Sequence, residues 1–390
     1  MSVLTTYYLQ PPKDRAALLQ PPEDRAALSF HFGRQGIGME EASETLASDS
    51  LFAALVAQAV LLDPRNLGSD GGPAFAQPFV SGTPPFALSS LFPRLGDLIL
   101  LPRPALELKM VDHLRSEIGK GFKKLRYLSP KLFSAICTGR QIASKPIIMQ
   151  KGKVWLSQEE AEKLPNPWGK QPKEDKEPWF ARLRETPIWE IESLPHVAVD
   201  RVSNASAYFE VGRVTYAPGS GLALLVRFAE PTGQAQFERL LDLLGESGLG
   251  GRRSSGAGAF HGVRGTTPDL NLGTPGSRQV LLSRYLPRPD EREALRSKQA
   301  SYQLVNVGGW LYSTGKPAQR RQRVRMVAEG SVLDGAKVDG PIRGTVVDVR
   351  PVYTAEKPHP QLRSGNGTAH PVYRSGLALA LPIPDNKEGT

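Results

Sequence analysis

Cysteine is almost absent from this chain of 390 residues, in which Cys137 is the only one. A single thiol excludes an intrachain disulfide, and no Cys-x-x-Cys pair or Cys/His cluster supplies the ligands of a zinc site. The longest apolar stretch, residues 51–62, is interrupted by Gln58 and falls short of the roughly 20 residues that span a bilayer. The first thirty residues lack a basic start followed by an apolar core. We therefore expect a reducing, cytoplasmic location, with no membrane, metal or cofactor involved.

Acidic residues are outnumbered, with 39 Asp and Glu against 49 Lys and Arg, so that the formal net charge is +10. Clustered basic residues gain by displacing the counterions of nucleic acid, and the charge therefore favours a polyanionic partner without establishing one. Hydrophobic residues make up 40% of the chain, which is enough for packed cores. The length predicts about two to three domains. The 38 glycines and 34 prolines predict many turns and long loops.

Local patterns predict several elements. A tandem decapeptide, LQPPKDRAAL followed by LQPPEDRAAL at residues 9–28, carries paired prolines that stop any strand begun near Val3, so we expect a surface excursion there. The segment ETLASDSLFAALVAQAVLL has helical apolar spacing, with Ser48 or Asp49 as the expected N-cap. From Leu222, a strand, a helix and a returning strand form a unit of the split, ferredoxin-like kind.

The region from about residue 145 to 195 differs in composition, being rich in proline and alternating charge, and we interpret it as an insertion or linker. It holds four of the five tryptophans: Trp155, Trp168, Trp179 and Trp189. Exposed indoles would stack on the bases of a single strand. Burial as anchors that pin a proline-rich excursion is the plainer alternative.

The glycine-rich stretch GESGLGGRRSSGAGAF, residues 245–260, is the most informative for function. Its glycines permit positive φ, so that successive backbone N–H groups can converge into an anion-binding nest. Neighbouring guanidinium and hydroxyl groups suit phosphodiester oxygens. The nucleotide-binding motifs do not fit, because Gly251 stands where a P-loop needs lysine and Arg253 where a dinucleotide fingerprint needs glycine. A helix C-cap leading into a turn is the structural alternative.

Two further basic clusters are candidates for an RNA surface. Lys120, Lys123 and Lys124 lie close together, and Arg321, Arg323 and Arg325 alternate, so that on a strand they would share one face. An ordinary solvated surface is an equally good interpretation of both clusters.

Seven blocks occur in order along the chain: HFGRQGIGMEEASETLASDSLFAALV from His31, KKLRYLSPKLF from Lys123, HVAVDRVSNAS from His196, GESGLGGRRSSGAG from Gly245, GGWLYS from Gly308, RVRMVAEGSVL from Arg323 and HPVYRSGLALALPI from His370. Helix, basic glycine-rich loop and G-x-G strand resemble the RAMP superfamily of CRISPR RNA-binding proteins. The ordered blocks more narrowly resemble the fourth subunit of the type III-A (Csm) effector complex. The resemblance runs from about His31 to Ile383 and leaves out the decapeptide repeat and the tryptophan-rich middle.

The resemblance implies an α+β fold with two ferredoxin-like (RRM-like, RAMP) domains, a glycine-rich loop and a long middle insertion. We accordingly predict an N-terminal domain at 1–140, a thumb-like insertion at 141–200, and a C-terminal domain at 201–390 that carries the loop at 245–258. The implied role is non-catalytic binding of the 5′ repeat-derived tag of CRISPR RNA (crRNA), with target RNA nearby. The implied partners are the large polymerase-like subunit and the backbone RAMP subunit of the Csm complex. The candidate RNA-binding residues are Gly248, Gly250, Gly251, Arg252, Arg253, Ser254, Ser255, Lys120, Lys123, Lys124, Arg321 and Arg323.

Two alternatives remain open. Some RAMP proteins are metal-independent endoribonucleases that process CRISPR RNA with a histidine base, and His31 is the candidate here, although no partner follows from its spacing. The equivalent subunit of a type III-B complex would bind a similar tag with different partners. Metal-dependent nuclease chemistry is disfavoured, because an HD pair and a GGDD turn are absent and the DGG at Asp70 has the reverse order.

Overall fold

The computed structural model describes residues 4–12, 27–33, 41–164, 176–200, 202, 205–311, 319–338, 341–353 and 370–385. Within these ranges the helices are α1 (Ser48–Leu62), α2 (Gln77–Val80), α3 (Asp112–Ile118), α4 (Pro130–Cys137), α5 (Gln158–Glu162), α6 (Glu177–Glu185), α7 (Pro231–Ser247) and α8 (Glu293–Arg296). The strands are β1 (Leu4–Gln10), β2 (Ser29–Phe30), β3 (Phe86–Leu88), β4 (Phe92–Leu95), β5 (Leu98–Ile99), β6 (Leu101–Pro102), β7 (Tyr127–Leu128), β8 (Ile147–Met149), β9 (Val154–Leu156), β10 (Trp189–Val199), β11 (Ser206–Tyr216), β12 (Ser220–Phe228), β13 (His261–Gly265), β14 (Arg278–Leu281), β15 (Leu304–Val307), β16 (Trp310–Leu311), β17 (Gln319–Arg320), β18 (Val324–Val327), β19 (Val332–Asp334), β20 (Val346–Asp348), β21 (Tyr373–Ser375) and β22 (Ala380–Pro382). These elements confirm the predicted α+β class.

The largest sheet joins distant parts of the chain. Its order is β13-β1-β12-β4-β5, with β3 also paired to β12. Both neighbours of β1 are antiparallel to it, with Tyr7 opposite Leu224 in β12 and Arg264 in β13. Helices α1 and α7 contact each other, and α7 packs on β12 and β13. The predicted boundary near residue 200 is therefore not a boundary of this sheet, because β12 and β13 complete a sheet that β1 begins.

Helix α1 confirms the predicted helix, but its cap differs from the prediction. The N-cap residue is Ala47, and no side chain caps the helix. Ser48 and Asp49 lie inside the first turn and are both buried. The Ser48 hydroxyl oxygen accepts a hydrogen bond from the Arg284 backbone N–H, 2.9 Å away. Asp49 forms an ion pair with Arg374. Both side chains that the local pattern assigns to capping therefore make tertiary contacts instead.

The repeat region begins as the prolines predict. Strand β1 ends at Gln10, directly before the first proline pair, because proline has no N–H to donate to the ladder. The predicted surface excursion falls mainly on residues 13–26, which lie outside the described residues.

The predicted insertion has regular structure over most of its described length, and its strands β8 and β9 join a sheet with β6 and β7, which precede it. Strands β6, β7, β9 and β8 form a four-stranded sheet in that order. Trp155, Trp179 and Trp189 are among the largest fully buried side chains, and Trp179 donates its indole N–H to the Ala161 carbonyl at 3.2 Å. Of the two alternatives, burial as anchors is confirmed for these three tryptophans. Trp168 lies outside the described residues.

A long hairpin follows this unit. Strands β10 and β11 are each eleven residues long and pair along their whole length, from Trp189 opposite Tyr216 to Val199 opposite Ser206. Trp189 and Tyr216 are buried at the base of the hairpin. Val199, towards the other end, is 61% exposed. The hairpin therefore extends out of the core into solvent.

The C-terminal part contains short antiparallel sheets, β19-β14-β22, β15-β18, β16-β17 and β20-β21. Pairing of Val307 with Val324 and of Trp310 with Arg320 makes β15–β16 and β17–β18 one interrupted two-stranded ribbon. Between these two pairs, the β17–β18 side of the ribbon has one more residue than the β15–β16 side. This is the arrangement of a bulge.

Candidate nucleic-acid interface

The glycine-rich loop connects α7 to β13 and packs on residues 29–33. The N–H of Leu249 donates to the Gly258 carbonyl at 2.8 Å, that of Gly251 to His31 at 3.0 Å, and that of Gly258 to Ser29 at 2.9 Å. The N–H of Gly248, the C-cap residue of α7, donates to Leu244. These amides are occupied within the chain, so the prediction of a free N–H nest is wrong at these positions. The C-cap alternative describes the start of the loop.

Glycine is required at Gly250 because the loop lies directly against the backbone of residues 29–33. Its φ is +93°, and a Cβ there would lie 2.8 Å from the His31 carbonyl oxygen. At Gly251 a Cβ would lie 2.6 Å from Cδ2 of the His31 ring. The glycines therefore serve close packing, and side chains are left to provide the contacts with a ligand.

Arg252 links the loop to the hairpin. It adopts left-handed backbone geometry, with φ 60°, and its guanidinium carbon lies 4.7 Å from the centroid of the Phe209 ring. Phe209 in turn stacks on His196, with ring centroids 5.6 Å apart and planes inclined by 16°. Cation–π and ring stacking thus join the loop and the outer half of the hairpin into one surface.

Arg253 and Ser254 are exposed beside this stack, in the 3-10 turn Arg253–Ser255. An exposed guanidinium suits a phosphodiester, because it offers charge-assisted donors in a planar fork. The loop, the Arg252–Phe209–His196 stack and Arg253 are here named the loop–hairpin surface. It combines a cation with aromatic rings, the combination that single-stranded nucleic acid needs.

His31 lies under this surface. Its Nδ1 is 2.6 Å from the Gly212 carbonyl oxygen, which can only accept, so Nδ1 carries the proton. Its backbone carbonyl accepts from Gly251. The residue therefore ties the hairpin to the loop. Within the described ranges, no group of three or more His, Cys, Asp or Glu residues could hold a metal ion.

The predicted lysine cluster lies on the 3-10 helix Gly119–Lys124, where Lys120, Lys123 and Lys124 are exposed. Lys124 packs near Gly152 in the turn that follows β8, so the exposed Lys151 joins the cluster. In the same turn, the side-chain amide of Gln150 donates through Nε2 to the Trp189 carbonyl at 2.6 Å. This hydrogen bond fixes the turn to the base of the hairpin. Sequence reasoning missed Lys151, because only tertiary packing brings it to the cluster.

The predicted arginine face is wrong in its geometry. Arg321 and Arg323 lie between β17 and β18 and are not in a strand, so the three arginines do not form one strand face. The bulge turns Arg321 inward. There, burial and the nearby Arg374 lower the pKa of Arg321 to about 10, although Asp49 acts in the opposite direction. Arg323 and Arg325 remain exposed. Trp310, which is exposed and pairs with Arg320 across the ribbon, was left out by sequence reasoning, because only strand pairing brings it to the arginines.

Comparison with known proteins supports a common origin. Residues 274–383 match the family described as the CRISPR Csm4 C-terminal domain. The chain is 24% identical over 264 residues to the CRISPR system Cms protein Csm4 of Thermococcus onnurineus, which covers 65% of this chain and 71% of that protein. It is 21% identical over 389 residues to the Csm4 protein of Methanocaldococcus jannaschii, covering 92% of this chain and 96% of the relative.

The fold is also known. A chain of the crystal structure of the Csm3–Csm4 subcomplex in the type III-A CRISPR-Cas interference complex superimposes with a TM-score of 0.60 at 17% identity, covering 98% of this chain and all of that one. The chain is therefore similar to RAMP proteins of type III CRISPR systems. Within that class, its similarity is to the Csm4 proteins, in sequence over most of its length and in the match of residues 274–383 to the Csm4 C-terminal domain. No helix among the described residues is long and apolar enough to cross a membrane.

Proposed function

We propose that this chain is a non-catalytic, crRNA-binding subunit of a type III-A CRISPR (Csm) effector complex. It holds the 5′ repeat-derived tag and joins the large polymerase-like subunit to the backbone RAMP subunit. One observation carries the proposal: the likeness to Csm4 proteins extends over 92% of the chain in sequence. The likeness in fold extends over 98% of it.

The fold itself is proposed to contain two ferredoxin-like units. In the first, β1–α1–β3/β4 and β12–α7–β13 are the two halves, and the order β13-β1-β12-β4 supports this assignment. The glycine-rich loop then belongs to the N-terminal unit, although it lies more than halfway along the chain. The second unit corresponds to the region that matches the Csm4 C-terminal domain, residues 274–383.

The loop–hairpin surface is the proposed site for the tag. Arg253 is exposed to bind a phosphate, and Arg252 is held over Phe209 at 4.7 Å, where its charge lies beside an aromatic ring. Lys120, Lys123, Lys124 and Lys151 extend positive charge towards the base of the hairpin. Because phosphate contacts position RNA and base contacts specify it, this surface orients the tag chiefly through its backbone.

The hairpin is the proposed thumb-like element, in place of the whole insertion at 141–200. Residues 147–164 and 177–189 contribute to the buried core, whereas the outer part of β10 and β11 is solvent-exposed. Val197, Val199 and Tyr208 are 60%, 61% and 65% exposed and share one face. Apolar side chains held out in this way suit a wedge beside the paired target RNA.

A catalytic role is not proposed. The competing hypothesis is a metal-independent endoribonuclease with His31 as base, and the contacts of His31 with Gly212 and Gly251 favour a structural role. The equivalent role in a type III-B complex is the other alternative, and the likeness to Csm4 proteins favours type III-A.

The test uses the full chain and a labelled RNA of the repeat-derived tag, in buffer without divalent metal. We expect saturable binding and an intact RNA. Site-specific cleavage that His31→Ala abolishes would instead establish the endoribonuclease. Co-expression with the other subunits should recover the large and backbone subunits of a Csm complex, and recovery of type III-B subunits would contradict the type assignment.

A further inference from the structure

The two-stranded ribbon of residues 304–311 and 319–327 has an exposed face that the loop–hairpin surface does not include. Strand pairing places Leu304, Asn306 and Arg325 on one side of β15 and β18, with Leu304 opposite Val327 and Asn306 opposite Arg325. These three residues and Trp310, Arg320 and Arg323 are exposed, whereas Met326 and Gln319 are buried, as is Val327 at the end of the ribbon opposite Leu304. The ribbon therefore has an inner face against the core and an outer face in solvent.

The outer face is strongly positive. Arg320, Arg323 and Arg325 are exposed on it, and residues 302–311 and 319–327 contain no aspartate or glutamate. Gln322 donates to the carbonyl of Arg350 at 2.9 Å, and Arg350 is paired with Asp348, so this neighbour adds no net negative charge. An uncompensated arginine face of this kind attracts a polyanion.

Trp310 gives this face an aromatic platform. Its side chain is 57% exposed, and the guanidinium carbon of Arg320 lies 4.7 Å from its ring centroid. An exposed indole with a guanidinium held over its ring offers an accessible π surface to a ligand. Indole and guanidinium are both flat groups on which nucleic-acid bases stack.

Arg321 distinguishes the two faces of the ribbon. It is next to Arg320 but points inward, towards Arg374 and Asp49, and its Nε has no hydrogen-bond partner among the described residues. Gly309 makes room for it, because a Cβ there would lie 3.1 Å from Nη2 of Arg321. Two adjacent arginines, one at the end of β17 and one in the bulge that follows it, thus lie on opposite sides of the ribbon.

We propose that the outer face of this ribbon is a second RNA-binding surface, on which a base of a single strand stacks on Trp310 while Arg320, Arg323 and Arg325 bind the adjoining phosphates. The inference rests on the proposed function for the identity of the polyanion as RNA. Aromatic and arginine residues are also enriched where proteins meet. The absence of any acidic residue from the ribbon sequence favours RNA over a protein partner, which would bring mixed charges.

The test compares neighbouring charges in the full chain. Affinity for a labelled single-stranded oligoadenylate is measured for Trp310→Ala, Arg320→Gln and Arg321→Gln, with thermal melting of each variant as the control for folding. Trp310→Ala should weaken binding by about tenfold, since stacking contributes substantially per base. Arg320→Gln should weaken it several-fold. Arg321→Gln, the matched control, should leave affinity close to that of the parent, and Trp310→Phe should restore most of the binding.

A second readout uses the unaltered chain, so that it does not depend on how a variant folds. Photocrosslinking to 4-thiouridine-containing RNA should label the peptide that contains Trp310. Failure to label that peptide, equal losses in Arg320→Gln and Arg321→Gln, or loss of a partner subunit with RNA affinity unchanged would each overturn the proposal. If the ribbon variants bind normally while Arg252 and Arg253 variants do not, the ribbon surface is refuted and the proposed function stands. If none of these variants affects binding, both are refuted.

Discussion

Arg374 in β21 forms a buried ion pair with Asp49 in the first turn of α1, 325 residues away in sequence. Only 2% of the arginine side chain and 1% of the aspartate side chain are accessible to solvent. Arg374 also donates to the Gly308 carbonyl at 2.9 Å, between β15 and β16 of the ribbon. The pair thus connects the N-terminal helix layer, the C-terminal strands and the ribbon.

Removing Arg374 should be severely destabilising. Arg374→Gln leaves the Asp49 carboxylate buried without its partner, and breaking a buried pair in this way costs about 3–5 kcal/mol. The measurement is the free energy of unfolding in urea. Arg350→Gln is the control, because its pair with Asp348 lies nearer the surface and should contribute about 0–1 kcal/mol. If both substitutions lowered the free energy of unfolding by the same small amount, the buried ion pair would not contribute to stability.

The tryptophans of the insertion lead to a second prediction. Trp179 on α6 is 2% exposed and packs among core residues that include Phe180 and Leu183. Trp179→Ala should lower the free energy of unfolding by about 3–5 kcal/mol through lost burial and the remaining cavity. The control is Arg182→Ala, an exposed position on the same helix, which should change stability little. A variant at Trp179 as stable as the parent would restore the interpretation of this region as a detachable linker.

How much of this could be predicted from the sequence depended on the range of the interactions. Helix α1, the end of β1 before Pro11 and the helix–loop–strand unit around the glycine loop follow from periodicity and backbone stereochemistry, which are local. The pairing of β12 with β1 is not local, and apolar alternation does not indicate which strand is the partner. The inward turn of Arg321 arises from a bulge between two short strands, for which the alternation of arginines gave no signal. Two of the occupied loop amides, those of Gly251 and Gly258, donate to residues 29–33, far upstream.

Alkaline pH should destabilise the protein. Burial, reinforced by Glu44, raises the pKa of Tyr127, and burial, reinforced by Tyr127 and Glu44, raises that of Tyr216. Because both folded-state pKa values exceed the unfolded value of about 10, their stabilising contribution is complete below pH 10 and declines as the pH rises above it. The melting temperature should therefore be steady up to about pH 10 and fall as the pH rises further.

Phenylalanine variants identify the groups responsible for this fall. Tyr216→Phe removes one buried titrating hydroxyl and should flatten the decline, whereas Tyr302→Phe, at a position 41% exposed, should leave it unchanged. The same slope in all three proteins would show that the buried tyrosines do not govern alkaline stability.

The central claim is that the loop–hairpin surface binds the crRNA tag, and the most direct test is the affinity of the Arg252→Gln/Arg253→Gln double variant for tag RNA. Charge-assisted hydrogen bonds contribute about 1.5–3 kcal/mol each, so the variant should bind several-fold to a hundredfold more weakly with its melting temperature preserved. The matched control, Arg182→Gln/Arg296→Gln, removes the same charge from exposed positions on α6 and α8 and should bind nearly as tightly as the parent. Tag affinity equal to that of the parent in a folded Arg252/Arg253 variant would contradict the account.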